Sequence, residues 1–487
     1  MKNVKKALVF VCSVAVLIAV WHFLAKKIAS PLVLPSPRAV FERIFAFLAQ
    51  KKFAAAFFAT LKRCALSFSL SVAAGFALGL LCAFFPVCRA FFEPVLSLIR
   101  ATPVIALILL ALFWLKSDGV PVFIALLMTL PVMTTAVISA FSQKNDEDTK
   151  LQKMAAVFEL SAAQKLLFLS IPRAFPAVSS GIKSAAGMTW KLVCAGEVLS
   201  LPRSAIGSFL QNAQVVLESA DTFALTLIIV AASSLFCAMT HFFLIALKKA
   251  GRIAAHWYFL CDFPARKTPP SAASAVSIDH LSLMRSVLLY DDFSVQFPAS
   301  SVSVILASSG LGKTTLLNVV AEQMRKDGVS YLFQEPRLLP CLTVLENVAL
   351  PLRRFFGGKT AYENAKKMLL ALQLGEKLSA FPNELSGGER QRAAMARSFC
   401  FPCAVLLLDE PFQSQDFALK QRLLSVLREC AVGKTVLAVT HDPHEAARIG
   451  GRILLLSSRP VRIALDLDCA RLSVETVEKT VIGALLG

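Results

Sequence analysis

Residues 307–315 read ASSGLGKTT, which fits the phosphate-binding pattern G-x-x-x-x-G-K-[ST] at every position but the first, where Ala307 replaces glycine. The stretch follows the apolar run SVSVILA (301–307) and opens the amphipathic pattern KTTLLNVVAEQM (313–324). A short strand leading into a helix is the context that this loop requires. Backbone N–H groups of Gly310 to Thr314, Gly312 among them, can then surround phosphates at the positive end of the helix, with Ser309 and Thr315 as further cofactor-binding candidates. Lys313 reaches the outer phosphates, and the Thr314 hydroxyl suits magnesium. If the backbone at 307 needs a positive φ, alanine costs about 1 kcal/mol there without removing any donor.

Two further apolar runs, AVLLLDE (404–410) and TVLAVTH (435–441), are short, bounded and separated by helical patterns. Short buried strands alternating with helices predict a parallel α/β sheet. The first of the two ends in Asp409 and Glu410, adjacent carboxylates that suit a magnesium ligand followed by a water-activating base. The second ends in His441.

Composition separates this region from what precedes it. With 56% hydrophobic and 17% charged residues and a mean hydropathy of +0.64, the chain is too apolar for a soluble protein of 487 residues. The net charge of +19 is uneven: residues 1–267 hold 27 Lys/Arg against 11 Asp/Glu, and residues 268–487 hold 24 against 21. The excess is therefore +16 among the apolar segments and +3 beyond them, the bias of inner-face loops beside anionic lipid, and not a nucleic-acid footprint. Twelve cysteines are scattered without a disulfide or zinc pattern, and the Cys400/Cys403 pair reads as packing.

MKNVKK followed by ALVFVCSVAVLIAVWHFLA reads as an uncleaved anchor with its N-terminus inside. Apolar stretches near Cys64–Phe85, Val95–Leu115, Val120–Phe141, Ala177–Leu199 and Thr222–Leu247 bring the expected spans to about six, an all-α polytopic domain over residues 1–257. The loop from Ser142 to Arg173, with Lys144, Lys150, Lys153 and Lys165, and the end of the last span at Lys248, Lys249 and Arg252 belong on the cytoplasmic side. Residues 258–275, including FPARKTPPSAASA, read as a linker to a soluble domain over 276–487. Inside the stretch Ala177–Leu199, the fifth expected span, Glu197 lies on one helical face with Trp190, and Lys191 is no obvious ion partner. An acid at that depth is either part of a pathway or gate, or a buried structural hydrogen-bonding group.

Between the two strand motifs stands NELSGGERQR (383–392). With it, the soluble half resembles the ATPase subunit of an ATP-binding cassette transporter. The resemblance implies ATP and Mg2+ as cofactors and a helical subdomain beside the α/β core. It makes Glu410 the base, His441 the switch histidine, Asp416 the D-loop residue, and Gln334 a glutamine linking metal and attacking water to the membrane domain. Ser386, Gly387 and Gly388 match a signature that caps ATP bound to the opposite subunit, so a homodimer is implied; Glu389 stands where the family commonly has Gln. The adenine-stacking aromatic is missing near Leu283 and Met284, which leaves His280 or Tyr290 as weak substitutes.

Residues 153–172, KMAAVFELSAAQKLLFLSIP, resemble the importer coupling loop E-A-A-x3-G-x9-I-x-L-P, with Lys153, Met154 and Glu159 in place of Glu, Ala and Gly. LPSPRAVFERIFAFL (34–48), SIPRAFPAVSSGIKSA (170–185) and FQEPRLLP (333–340) look like the importers of nitrate, aliphatic sulfonates, taurine and a thiamine precursor. A multi-pass protein of the cytoplasmic membrane, with its ATPase in the cytoplasm, is implied. So is a small, anionic or zwitterionic solute supplied by an extracytoplasmic binding protein. The alternative is a membrane-anchored ATPase with an inactive pore, acting as regulator or scaffold; Ala307 and the altered coupling pattern favour it.

Overall fold

The computed structural model describes residues 2–142, 146–261, 267–270, 272–284, 288–308, 310–413, 415–469 and 472–486. Ser309, Lys144 and part of the expected linker lie outside them. The chain divides into two compact units: Met1–Gln143 with Arg173–Lys249, and Lys144–Pro172 with Ala250–Gly487.

The first unit is helical: α1 (Lys2–Ile28), α2 (Pro37–Leu48), α3 (Lys51–Phe84), α4 (Pro86–Ala101), α5 (Val104–Trp114) and α6 (Val120–Ser142). After the excursion through the second unit come α9 (Ile171–Ser200), α10 (Ile206–Val215) and α11 (Ser219–Leu260); the intervening α7 and α8 are given below. Helices α3 and α6 pack with their backbones close. A Cβ added to Gly75 would stand 2.7 Å from Met133 Cβ, and one on Gly79 2.6 Å from Val137 Cβ. Gly75 and Gly79 form a G-x-x-x-G, which lets apolar helices approach where lipid offers no hydrophobic gain.

Among the described residues, three helices are long and apolar enough to cross a membrane, Lys51–Phe84, Val120–Ser142 and Ser219–Phe259, or four if one bent pair counts as a span. The expected span Val95–Leu115 falls on this bent pair. It breaks between α4 and α5 with a 104° bend, because Pro103 holds Thr102 in an extended conformation (φ −76°, ψ 129°). The expected span Ala177–Leu199 is helical in α9, where Lys183, Lys191 and Glu197 interrupt the apolar run, and α9 is not one of the three.

Glu197 is fully buried and satisfied. Thr60 Oγ1 donates to its carboxylate at 2.9 Å, Arg63 Nη1 at 2.8 Å and the Gly207 N–H at 3.1 Å. Arg63 also donates to Asp118 Oδ1 (2.7 Å) and Ser204 O (2.9 Å). Of the two readings of this acid, these contacts match the structural hydrogen-bonding one, joining α3, α9 and α10.

The second unit holds α7 (Asp146–Val157), α8 (Ala162–Lys165) with a π-helical turn Leu166–Ser170, and the ATPase fold. The strands are β1 (Val276–Met284), β2 (Leu288–Phe297), β3 (Val302–Leu306), β4 (Val329–Leu332), β5 (Val405–Asp409), β6 (Thr435–Thr440), β7 (Arg452–Ser457) and β8 (Arg462–Asp468). Six of them form one sheet in the order β4-β5-β6-β3-β7-β8; β3 to β7 run parallel and β8 antiparallel. Strands β3, β5 and β6 are almost wholly buried, as continuous apolar runs between helix layers should be. β1 and β2 form a separate antiparallel pair. The helices are α12 (Lys313–Gln323), α13 (Val344–Leu352), α14 (Gly358–Ala371), α15 (Gly387–Cys400), α16 (Phe417–Ala431), α17 (Pro443–Ile449) and α18 (Val474–Leu486).

Candidate functional site

β3, β5 and β6 are neighbours, so their C-terminal ends bring the three sequence motifs to one edge of the sheet. The loop after β3 turns into α12 through Gly310 (φ 84°) and Gly312 (φ 85°), left-handed conformations that glycine adopts without penalty. Ala307 is buried at 2% exposure and is absent from the described residues with positive φ. The conditional cost attached to it does not arise, since an ordinary backbone accepts a methyl group.

Lys313 Nζ donates to the carbonyls of Ala307 (2.5 Å) and Ser308 (3.1 Å). Burial pushes its ammonium below the usual range, and Glu410 and Asp409 pull it back. Thr314 Oγ1 donates to Asp409 Oδ2 at 2.8 Å. Burial raises the Asp409 carboxyl above its ordinary value, the Thr314 bond opposing it and Glu410 adding to it. The Thr314 hydroxyl and the Asp409 carboxylate form a pair of hard oxygen donors, a fit for a small divalent cation that keeps most of its water. Thr315 is half-buried at the start of α12.

Glu410 has φ 48°, a strained conformation for a residue with a side chain. Its N–H is held by Val439 O at 2.9 Å, and its Oε1 lies 3.1 Å from His441 Nδ1. The ends of β5 and β6 thereby set a carboxylate and an imidazole face to face. Gln334 is exposed on the segment after β4.

Ser386, Gly387 and Gly388 begin α15. Ser386 Oγ accepts from the Glu389 N–H (3.3 Å) and Glu389 Oε2 accepts from the Ser386 N–H (2.8 Å), a capping box that gives the acid at 389 a local reason. The Ser386 bonds hold the Glu389 carboxyl below its usual range. Ser386 and Gly387 are exposed and Gly388 is half-buried at this helix start. Asp416 caps α16 by accepting from the Leu419 N–H at 2.9 Å. His280 is exposed and paired with Asp292, whereas Tyr290 is buried and its hydroxyl donates to Gly312 O at 3.1 Å. Burial raises the thiols of Cys400 (to about 12) and Cys403 (to about 11), which suits packing and not metal or redox work.

The segment 146–172 packs into the ATPase core. Met154, Ala155, Phe158, Leu160 and Phe168 are buried in the same apolar cluster as β3 to β6. Lys150 Nζ donates to Glu335 Oε1 at 2.7 Å, next to Gln334, and Cys341 Sγ contacts Phe168 O at 3.3 Å. Ala155 is completely buried, while Ala156 is only half-buried. Glu159 has φ 48°, a position where the coupling-loop pattern has glycine. Its carboxylate offsets that strain by pairing with Arg354 (2.8 Å) and Lys267 (3.1 Å).

Two arginines escaped the sequence reading. Arg397 on α15 is buried, donates to Pro336 O and Arg337 O at 2.9 Å each, and lies 5.0 Å over the Phe158 ring. Arg459, on the turn between β7 and β8, donates from Nη2 to Gly310 O at 2.9 Å. Neither could be found from a local motif, because each acts on a partner distant in sequence.

A family model described as ABC transporter matches residues 290–413, and one described as binding-protein-dependent transport system inner membrane component matches residues 75–250. An aliphatic sulfonates import ATP-binding protein of Paracoccus denitrificans is 38% identical over 34% of this chain and 72% of its own length. A taurine import ATP-binding protein of Rhizobium johnstonii is 35% identical over 41% of this chain and 87% of its own. A solved dimeric ATP-binding cassette bound to ADP and Pi is 24% identical, covering 40% of this chain and 99% of that one at a TM-score of 0.37. The chain belongs to the ATP-binding cassette transporters, as a membrane protein that carries a permease and an ATP-hydrolysing domain in one polypeptide.

Proposed function

We propose that this transporter imports a small anionic or zwitterionic solute of the sulfonate, taurine or nitrate type. Two copies of the chain work as a homodimer in the cytoplasmic membrane, with the ATPase on the cytoplasmic side and an extracytoplasmic binding protein delivering the solute. The observation that carries this reading is the docking of segment 146–172 on the ATPase beside Gln334, through Lys150–Glu335 and the burial of Ala155 and Phe158. In the chain the segment lies between α6 and α9, so it is a covalent link between the ATPase and the permease helices. The regulator or scaffold reading drew on Ala307 and the altered coupling pattern. The ordinary backbone at Ala307 and the ion-paired Glu159 weaken part of that support.

In this reading Lys313 turns from the loop carbonyls to the outer phosphates, and Thr314 and Asp409 would hold a magnesium ion, which would supply neutralisation of phosphate charge. Glu410 takes the proton of the attacking water. His441, on the same carboxylate, orients it toward the γ-phosphate. Gln334 reports the state of the site to segment 146–172. Ser386, Gly387 and Gly388 offer the N-terminus of α15 to the nucleotide of a second copy, with Asp416 beside that junction, so each ATP needs both chains.

The test is Ala155→Asp, which places an unpaired carboxylate in an apolar contact. In proteoliposomes with the cognate binding protein, stimulation of ATP hydrolysis and solute uptake should both fall while unstimulated ATP binding survives. Unchanged stimulation and uptake would remove segment 146–172 from the coupling role.

A further inference from the structure

Among the described residues, Leu283 and Met284 stand where an aromatic platform for the base is expected. β1 and β2 pair Leu283 with Tyr290 and Met284 with Leu288, so the aliphatic positions lie beside the start of β2. The Tyr290 ring is buried and its hydroxyl is used by Gly312, so it offers no face to a ligand. The β7–β8 turn reaches the same place. The Val461 N–H donates to Leu289 O at 2.9 Å, and the Leu289 side chain lies against Gly312, 2.8 Å from where a Cβ would stand. Two residues before Val461, Arg459 fixes one guanidinium nitrogen on Gly310 O and passes within 3.2 Å of the Cβ position of Gly310.

We propose that Arg459 is the platform on which the purine base of the bound nucleotide stacks, in place of the missing aromatic residue. The chemistry suits it: guanidinium is planar, permanently charged and stacks on aromatic faces, and its bond to Gly310 holds the plane at the rim of the phosphate loop. Arg459 is exposed, and Gly310 O is its one hydrogen-bond partner among the described residues, so a face remains open to the base. The glycine at 310 is needed twice, for its left-handed φ and because a side chain there would crowd the guanidinium.

The experiment measures calorimetric binding of Mg-ATP and of Mg-tripolyphosphate, which has the phosphates and no base, to the full chain in lipid nanodiscs. Arg459→Ala should weaken ATP by about tenfold and tripolyphosphate by less than about twofold. Arg459→Lys, which keeps the charge and loses the plane, should recover little of the ATP affinity. Equal losses for both ligands would make Arg459 a phosphate contact or a brace of the loop and overturn the proposal. Full rescue by lysine or unchanged ATP affinity would overturn it as well.

Discussion

Phe158→Ala tests whether segment 146–172 transmits force as proposed. Phe158 is 1% exposed. Its ring meets Phe401 edge-on at 5.1 Å and lies 5.0 Å beneath the Arg397 guanidinium. Truncating a buried phenylalanine costs about 3–5 kcal/mol, and the lost cation–π contact adds about 0.5–2 kcal/mol. Arg397 has the carbonyls of Pro336 and Arg337 as its remaining partners, so the loss falls on the contact between the segment and the residues after Gln334. Coupling energies between sites run to about 1–3 kcal/mol, smaller than the contact removed. Stimulation of ATP hydrolysis by the binding protein should therefore fall on the order of tenfold or more, with ATP affinity kept. Phe158→Leu, closer in volume, should retain most of the stimulation. The assay compares basal and stimulated hydrolysis in proteoliposomes for the three proteins. Undiminished stimulation in Phe158→Ala would refute the reasoning, as would loss of ATP binding.

Glu159→Gly should change thermal stability by less than about 1 kcal/mol, because relief of the strain at φ 48° offsets two partly exposed ion pairs of modest worth; a large loss by calorimetry would contradict this. Glu197→Ala removes the shared partner of Thr60, Arg63 and Gly207 and should destabilise the permease unit by about 3–5 kcal/mol, read as a fall in melting temperature in detergent; an unchanged value would return Glu197 to a pathway role. Burial raises the Asp409 carboxyl, and a raised carboxyl favours the protonated, metal-free protein at low pH. Magnesium-dependent nucleotide binding should accordingly rise with pH through that elevated value and then level off. Asp409→Asn should flatten the profile, and an acid limb at the ordinary carboxylate value would contradict the role of burial.

What could be read in the sequence was local. ASSGLGKTT, AVLLLDE and LSGGE each carry their chemistry within a few residues, and parallel strand runs announce themselves by continuous apolarity. The break at Thr102–Pro103 was also written there, since a residue before proline leaves the helix, but an apolar average over Val95–Leu115 hides it. Gly75 and Gly79 carried a packing signal of the same kind. Long-range partners were not legible. Arg459 reaches Gly310 across 149 positions, and Arg63 reaches Glu197 across 134. The backbone conformation at Ala307 and Glu159 depends on the folded loop and not on residue type alone.

In the proposed function, ATP hydrolysis at Glu410 drives solute inward. Its most direct test is uptake of radiolabelled taurine and a short alkanesulfonate into proteoliposomes holding this chain, supplied with its binding protein outside and ATP inside. The wild type should accumulate at least one of them only with ATP, and Glu410→Gln should bind ATP yet accumulate none. Accumulation by Glu410→Gln at the wild-type rate, or brisk wild-type hydrolysis with no uptake of any anionic or zwitterionic solute, would contradict the account.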